Sequence, residues 1–352
     1  MNDESHMEPV GRFVEGDRML NGKHILIENC PGMGDLIMCT PAFKRLKELY
    51  PDCVLSVVSY THNLDIIAGL PYIDHVYGIT KGKFLGHFRP ALHFREQDYV
   101  IFTSWQPQLA RMAQILRVPH RAGVCKDKYS GTGLFNTELP NYDFNYKGFK
   151  ADLITHQVSL ALGVDLSNDG VCEVAKLPQQ ELNKILENIG VKQSKYVVMA
   201  PFAKTTQDMP INIISEVTKH LYDNRLTCVF INSEPKHDIS LLAEQYGAYD
   251  LCGKTNVREM IALLQGAVIN IVVDSGPMHV SAALGVPTVS VFSTGNRYMW
   301  QPRKNCYAVT VDKSCAPCVS SSAEKCVDKP CINEISAKII CDQVRNVLDN
   351  QS

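Results

Sequence analysis

Short apolar runs recur along the chain, and the spacing between them leaves room for one amphipathic helix each time. Lys23 to Glu28 is such a run. The turn Asn29-Cys30-Pro31-Gly32-Met33-Gly34-Asp35 follows, then a helical stretch from Leu36 to Leu49 that Pro51-Asp52 stops, then a second run, Val54 to Val58. Continuous rather than alternating apolar strands are those of a parallel sheet covered on both faces, and strand–turn–helix–strand is the unit that builds one. Further strands are predicted at His75–Ile79 and Tyr99–Thr103, with helices at Asn63–Ala68, Gln108–Leu116 and Asp152–Gly163. Between Arg121 and Lys150 the pattern fades into aromatic, glycine- and asparagine-containing sequence, read as loop over a cleft. Residues 164–178 are polar and irregular, and Gln179–Ile189 is a charged helix.

At Tyr196–Met199 the pattern restarts, with a helix at Ile211–Asp223, a strand at Thr227–Ile231, and helices at Ile239–Gln245 and Val257–Gly266. Then comes the most legible unit of the chain. An apolar run, Val268–Val273, ends in Asp274-Ser275-Gly276-Pro277; a small-residue helix, Met278–Leu284, leads through Gly285-Val286-Pro287 into the strand Thr288–Phe292. The fold predicted is α/β, two Rossmann-like doubly wound domains facing a central cleft. Its divisions are a flexible leader (1–20), a first domain (21–170), a linker (171–194), a second domain (195–332), and a C-terminal helix (333–352) that crosses back to the first domain.

Each half carries one chemically pointed turn. In the second, Ser275 is placed to cap the helix, Gly276 lets backbone approach a ligand, and Pro277 suits the first helical turn. A helix opening this way offers unpaired N–H groups and a positive dipole to an anion, and His279 adds a donor. The bland alternative is a well-capped turn with a packed histidine. In the first half the glycines bring the turn close to a ligand and leave Asp35 at the helix N-terminus. There it is either a cap or a carboxylate suited to accept a proton.

Composition narrows the classes. The chain has 352 residues, 45% apolar and 20% charged, long enough for two domains with cores. A formal net charge of −2 gives no electrostatic case for a nucleic-acid partner. No apolar run reaches the roughly 18 residues that span a bilayer, and the N-terminal stretch lacks a signal-peptide core, so a cytoplasmic protein is expected. Position 37 is Ile37, which breaks the dinucleotide fingerprint, and Ala248 breaks a P-loop ending in Gly253-Lys254-Thr255. Of the 13 cysteines, four cluster: Cys315, Cys318, Cys326 and Cys331. Structural zinc or iron, free thiols and disulfides are the alternatives; no histidine accompanies them to make a catalytic centre.

With both turns placed, the chain resembles the family 9 glycosyltransferases, the lipopolysaccharide heptosyltransferase family. The resemblance rests on Gly32-Met33-Gly34-Asp35 with Thr40-Pro41-Ala42, and on DSGPMHVSAALGVPTVSVF with Trp300-Gln301-Pro302 downstream. It spans residues 22 to 348 and also takes in Gly253-Lys254-Thr255 with the helix after it. The resemblance implies a GT-B architecture, with acceptor bound by the first domain and sugar nucleotide by the second. It also implies inverting transfer without a required metal, from an ADP-activated heptose to a glycan or lipopolysaccharide acceptor, with at most peripheral contact at the inner face of the cytoplasmic membrane. Carried over by position, Asp35 matches the catalytic base and Asp274 a residue on the transferred sugar. Ser275, Gly276, Met278 and His279 match the turn that holds the diphosphate; Gly34, Lys204, Thr205 and Lys254 are further expected contacts of the nucleotide-sugar site, and the acidic residue expected after the Thr227–Ile231 strand is Glu234 or Asp238. There is one departure. Where the family shows K-x-W-P, this chain has Gln207-Asp208-Met209-Pro210, and Lys204 is the nearest lysine. A non-catalytic sugar-nucleotide-binding protein, or a transferase of another nucleotide sugar, is the competing expectation.

Overall fold

The computed structural model describes residues 19–350, apart from 81–89, 126–132, 142–145, 193–194, 204–207, 294, 312, 314, 316–317, 319–325 and 327–329. The expected leader therefore lies outside the described residues up to position 18, and Leu20, placed in it by the sequence, is already fully buried core.

Two six-stranded parallel sheets form the scaffold. The first contains β1 (His24–Glu28), β2 (Val54–Tyr60), β3 (His75–Ile79), β4 (Tyr99–Phe102), β5 (His120–Val124) and β6 (Thr137–Leu139), in the order β3-β2-β1-β4-β5-β6. The second contains β7 (Tyr196–Ala200), β8 (Thr227–Phe230), β9 (Tyr249–Asp250), β10 (Ile269–Val273), β11 (Thr288–Phe292) and β12 (Cys306–Thr310), in the order β12-β11-β10-β7-β8-β9. Every residue of β7, β10 and β11 is buried, as the unbroken apolar runs require of strands covered on both faces. The sequence pattern missed β5 and the edge strands β6, β9 and β12, each of which is short or partly polar.

The helix expected from Leu36 to Leu49 is two helices, α1 (Met33–Ile37) and α2 (Thr40–Leu49). Pro41 is the cause: it has no N–H to give the Ile37 carbonyl, and the Thr40 hydroxyl donates to that carbonyl instead, at 2.7 Å. The remaining helices are α3 (Pro107–Ile115), α4 (Lys150–Leu162), α5 (Gln179–Asn188), α6 (Ile211–Asp223), α7 (His237–Tyr246), α8 (Val257–Gly266), α9 (Gly276–Ala283), α10 (Arg297–Trp300), α11 (Pro330–Asn333) and α12 (Ala337–Asp349). Asn256 and Glu259 close a capping box on α8, and a buried donor chain runs from Asn270 Nδ2 to Ser281 Oγ (2.6 Å), on to Thr288 Oγ1 and the Val286 carbonyl. That chain fixes α9 on the faces of β10 and β11.

The halves meet extensively. α1 packs on α9, and the 3-10 turn Thr61–Ile66 packs on α8. Gln265 exchanges two hydrogen bonds with the Leu177 backbone, at 2.8 and 2.9 Å, so the crossing strand of chain is pinned as it enters the second half. Because α5 already packs on α8, the span between the halves is shorter than the sequence reading of 171–194. A second correction concerns the C-terminus. α12 does not cross back to the first domain: Ile340, Cys341, Val344 and Val347 are buried with Ile214, Val217 and Leu221 of α6, against β11 and β12 of its own sheet. We expect Ile340→Ala to lower unfolding free energy by about 2–5 kcal/mol in denaturant titration, the range for a fully buried aliphatic truncation.

Candidate functional site

In each sheet the order reverses beside the domain's first strand, since β1 lies between β2 and β4, and β7 between β8 and β10. Loops leaving the carboxyl ends of such neighbours run to opposite sides and open a crevice, the usual ligand site of a doubly wound sheet. Here the two crevices face each other, because α1 leaves β1 and α9 leaves β10, and these two helices are in contact.

The contact is made by the glycines. A Cβ on Gly34 would lie 2.6 Å from Cδ2 of His279 and 3.0 Å from its Nε2; a Cβ on Gly276 would lie 3.3 Å from Sδ of Met33. The first pair leaves no room for any side chain at position 34. The glycines thus serve close approach of turn to turn, where the sequence argument assigned them to a ligand. His279 is 5% exposed and stands edge-on to Trp300, ring centroids 6.4 Å apart. Burial pushes its pKa down to about 4, so at neutral pH it is an uncharged donor and not a cation.

Ser275 occupies the N-cap position of α9 with extended backbone, but its hydroxyl bonds the Val273 carbonyl at 3.1 Å and does not cap. This corrects the expected capping role: the first turn of α9 has no side-chain cap, Pro277 carries no N–H, and the Met278 N–H donates to the Ser275 carbonyl at 3.1 Å. Met278 is fully buried and accepts from Ser290 Oγ at 3.0 Å, which makes it a packing residue under the turn. Asp274 is half-buried, and its charge adds to burial in raising the Cys306 thiol to about 12.

Across the gap, Asp35 sits in the first turn of α1. It is half-buried, and desolvation raises its pKa; the Lys150 charge and its own backbone N–H pull the other way. A second carboxyl, Glu28, lies behind it at the end of β1. It is fully buried, accepts from Ser104 Oγ at 2.7 Å and from Cys30, and burial pushes its pKa up to about 7. Cys39, which donates to the Asp35 carbonyl at 3.4 Å, feels both carboxylates, so the two act on one small volume. Neither Glu28 nor Lys150 was singled out from the sequence. The available signal was a charged residue closing an otherwise apolar strand run, Lys23–Glu28.

Other candidates fall elsewhere. Glu234 is exposed on a turn closed by Asn232 Nδ2 to its carbonyl at 2.8 Å. Lys254 donates to the Asp250 carbonyl at 2.8 Å, within its own loop. These two follow β8 and β9, outward of β7, and their loops touch each other: Gly253, at φ 71°, would place a Cβ 2.6 Å from Pro235. Beside them the Lys236 ammonium lies 4.8 Å from the Phe202 ring centroid, a cation at the carboxyl ends of β7 and β8 that the sequence reading did not name. Lys204 and Thr205 lie outside the described residues. Burial first, and then the neighbouring thiols of the cluster, raise the Cys318 and Cys331 thiols, yet among the described residues no three His, Cys, Asp or Glu side chains are grouped to hold a metal ion.

Comparison with known proteins bears on this arrangement. The family model described as glycosyltransferase family 9 (heptosyltransferase) matches residues 89–328. Lipopolysaccharide heptosyltransferase 3 of Escherichia coli is 25% identical over 288 residues, covering 77% of this chain and 84% of the relative. The crystal structure of a family 9 glycosyl transferase from Veillonella parvula superposes with a TM-score of 0.79 at 18% identity, covering 94% of this chain and 98% of that one. ADP-heptose lipopolysaccharide heptosyltransferase II of E. coli superposes with a TM-score of 0.75 at 16% identity, covering 94% and 99%. The two facing sheets are therefore the GT-B fold. Among the described residues no helix is long and apolar enough to cross a membrane.

The buried carboxyl Glu28 gives a measurable pH signature. Its folded pKa of about 7 stands above the ordinary 4.5 of a glutamate, so the folded chain keeps a proton that the unfolded chain loses between those values. That contribution is complete at low pH and is lost as pH rises through 7. Gln mimics the protonated acid. We expect Glu28→Gln to leave stability unchanged at about pH 4–5 and to raise it by roughly 2–3 kcal/mol above pH 8, read from denaturant melts at both pH values.

Proposed function

The chain belongs to glycosyltransferase family 9, the heptosyltransferase family, and is a glycosyltransferase; from that premise we propose that it moves a heptose from ADP-heptose to a saccharide acceptor of the lipopolysaccharide-core kind, with inversion and without a metal. The observation that carries this reading is the contact between the two turns, Gly34 against His279, which sets the Asp35 carboxyl and the opening of α9 on opposite sides of one narrow gap.

Inversion demands such an arrangement. Asp35 takes the proton from an acceptor hydroxyl as that oxygen attacks the anomeric carbon. The bond from that carbon to the diphosphate oxygen breaks on the far face, and its electron pair leaves with the nucleoside diphosphate. The raised pKa of Asp35 makes it a stronger base than an exposed aspartate, provided it stays ionised at the working pH. Charge developing on the diphosphate is met by the positive end of the α9 dipole and by the neutral imidazole of His279. In this reading Asp274, half-buried at the end of β10, meets the transferred sugar, and the exposed loops carrying Glu234, Lys236 and Lys254 meet the nucleoside. The relative named for ADP-heptose and the one named for lipopolysaccharide support the donor and the acceptor class.

Two variants test the division of labour. Asp35→Asn is expected to lower kcat by about 10²–10⁴ with ADP affinity within a few-fold of the parent. His279→Ala is expected to weaken ADP-heptose binding and to slow transfer together. Unimpaired transfer by Asp35→Asn would overturn the assignment of the base. A thermal-shift series of ADP-, UDP- and GDP-sugars checks the donor, since specific stabilisation follows affinity; a larger shift with a UDP- or GDP-sugar would overturn ADP-heptose. Specific ADP-heptose binding without transfer to any saccharide would instead favour a non-catalytic binding protein, the reading that the Gln207 register motivates.

A further inference from the structure

The stretch Tyr146 to Asp152, which opens α4 in the first domain, is held from the second domain. Asn296 Nδ2 donates to the Tyr146 carbonyl at 2.8 Å. The Arg303 guanidinium lies 5.0 Å from the Phe149 ring centroid, pairs with the Asp152 carboxylate, and donates to the Asp169 carbonyl at 2.8 Å. Gly170, at φ 67°, would place a Cβ 2.4 Å from Arg303 Nη1, so the guanidinium is seated on bare backbone. An arginine held on an aromatic face, a carboxylate and a carbonyl at once has little freedom to move.

Lys150 lies between the two anchored side chains, Phe149 and Asp152, at the first position of α4. Because α4 follows the parallel strand β6, its first turn stands at the carboxyl edge of the sheet, the edge from which the Asp35 turn emerges. The lysine is half-buried and makes no ion pair among the described residues. Its charge acts on Asp35 and on Cys39 behind it. The other titratable groups on the elements around the Asp35 turn are Glu28 from β1, Cys30 from the turn after it, Cys39 from the link to α2, Asp274 and His279 from the α9 opening, and His62 and Asp65 from the 3-10 turn packed on α1. Burial holds His279 neutral and keeps the Cys30 and Cys39 thiols protonated. Lys150 is the cation, among the described residues, whose charge opposes the burial of Asp35.

We propose that Lys150 is the positioning cation of the catalytic carboxylate, and that Arg303 of the donor-side domain keeps it at that post. The acceptor-side base is then tuned by a contact that exists only while the two domains are together. This inference rests on the reading of Asp35 as the base.

The test is the pH dependence of kcat/KM for the parent chain, Lys150→Ala, Lys150→Arg and Arg303→Ala, each checked for an unchanged melting temperature. Removing the lysine is expected to move the acidic limb up by about one unit, a roughly tenfold loss on the acid side of the limb that vanishes on the alkaline plateau. Lys150→Arg restores the limb, and Arg303→Ala moves it the same way by less. A loss by the same factor at every pH would overturn the proposal, because a residue that only binds substrate or supports the fold does not move the limb. A second readout needs no turnover: the ¹³C carboxyl titration of Asp35, identified by its disappearance in Asp35→Asn. An Asp35 midpoint that is the same in Lys150→Ala and parent overturns the role of Lys150 even where Asp35 is the base. An active Asp35→Asn overturns the base assignment, and the carboxyl titration still decides whether Lys150 acts on Asp35.

Discussion

The structure depends on one steric constraint, the approach of two helix openings to within contact distance across a domain boundary. Neither Gly34 nor Gly276 is explained by its own domain. Each is small because the other domain's turn, through His279 or Met33, occupies the space a side chain would take. From that contact follow the burial of His279 and the nearness of the Asp35 turn to the opening of α9. A doubly wound domain alone offers a crevice at its switch point. Two of them pressed together by glycines set the two switch points face to face.

Burial then sets the charges. His279 is held neutral, while Glu28 carries a proton further into the neutral range than an exposed carboxyl would. The carboxyl at Asp35 is the exception that a nearby ammonium helps to keep charged. Around the Asp35 turn, burial thus leaves uncharged hydrogen-bonding groups beside one carboxylate and a nearby ammonium, with Asp274 across the contact. Such a site favours a reaction in which one proton moves and charge departs on a leaving group.

How much of this was legible in the sequence depended on whether a residue's role is local. Asp274-Ser275-Gly276-Pro277 could be read as a strand-to-helix turn because cap position, glycine and proline act within four residues. Asp35 could be read for the same reason. Glu28 closed an apolar run and passed as its polar end, since only the fold shows Ser104 opposite it and no water around it. Lys150 and Arg303 are 153 positions apart, and nothing in the spacing says that one domain's arginine anchors the other's helix. The single long helix after the first turn was misjudged on a local signal, the proline at position 41, whose effect on the Ile37 carbonyl was there to be read. The course of the C-terminal helix was misjudged because an amphipathic stripe states that a helix is covered and not by which sheet.

That last helix changes the mechanics of the molecule. With α12 seated on its own sheet, the described backbone passes from one half to the other once, along the stretch that Gln265 pins at Leu177. A second crossing would tie the halves like the two posts of a gate. With one, they are held to each other by side-chain contacts, and buried residues of both halves join in a single apolar cluster. The seam is continuous with the core, so a substitution there acts on the joint and on the fold together.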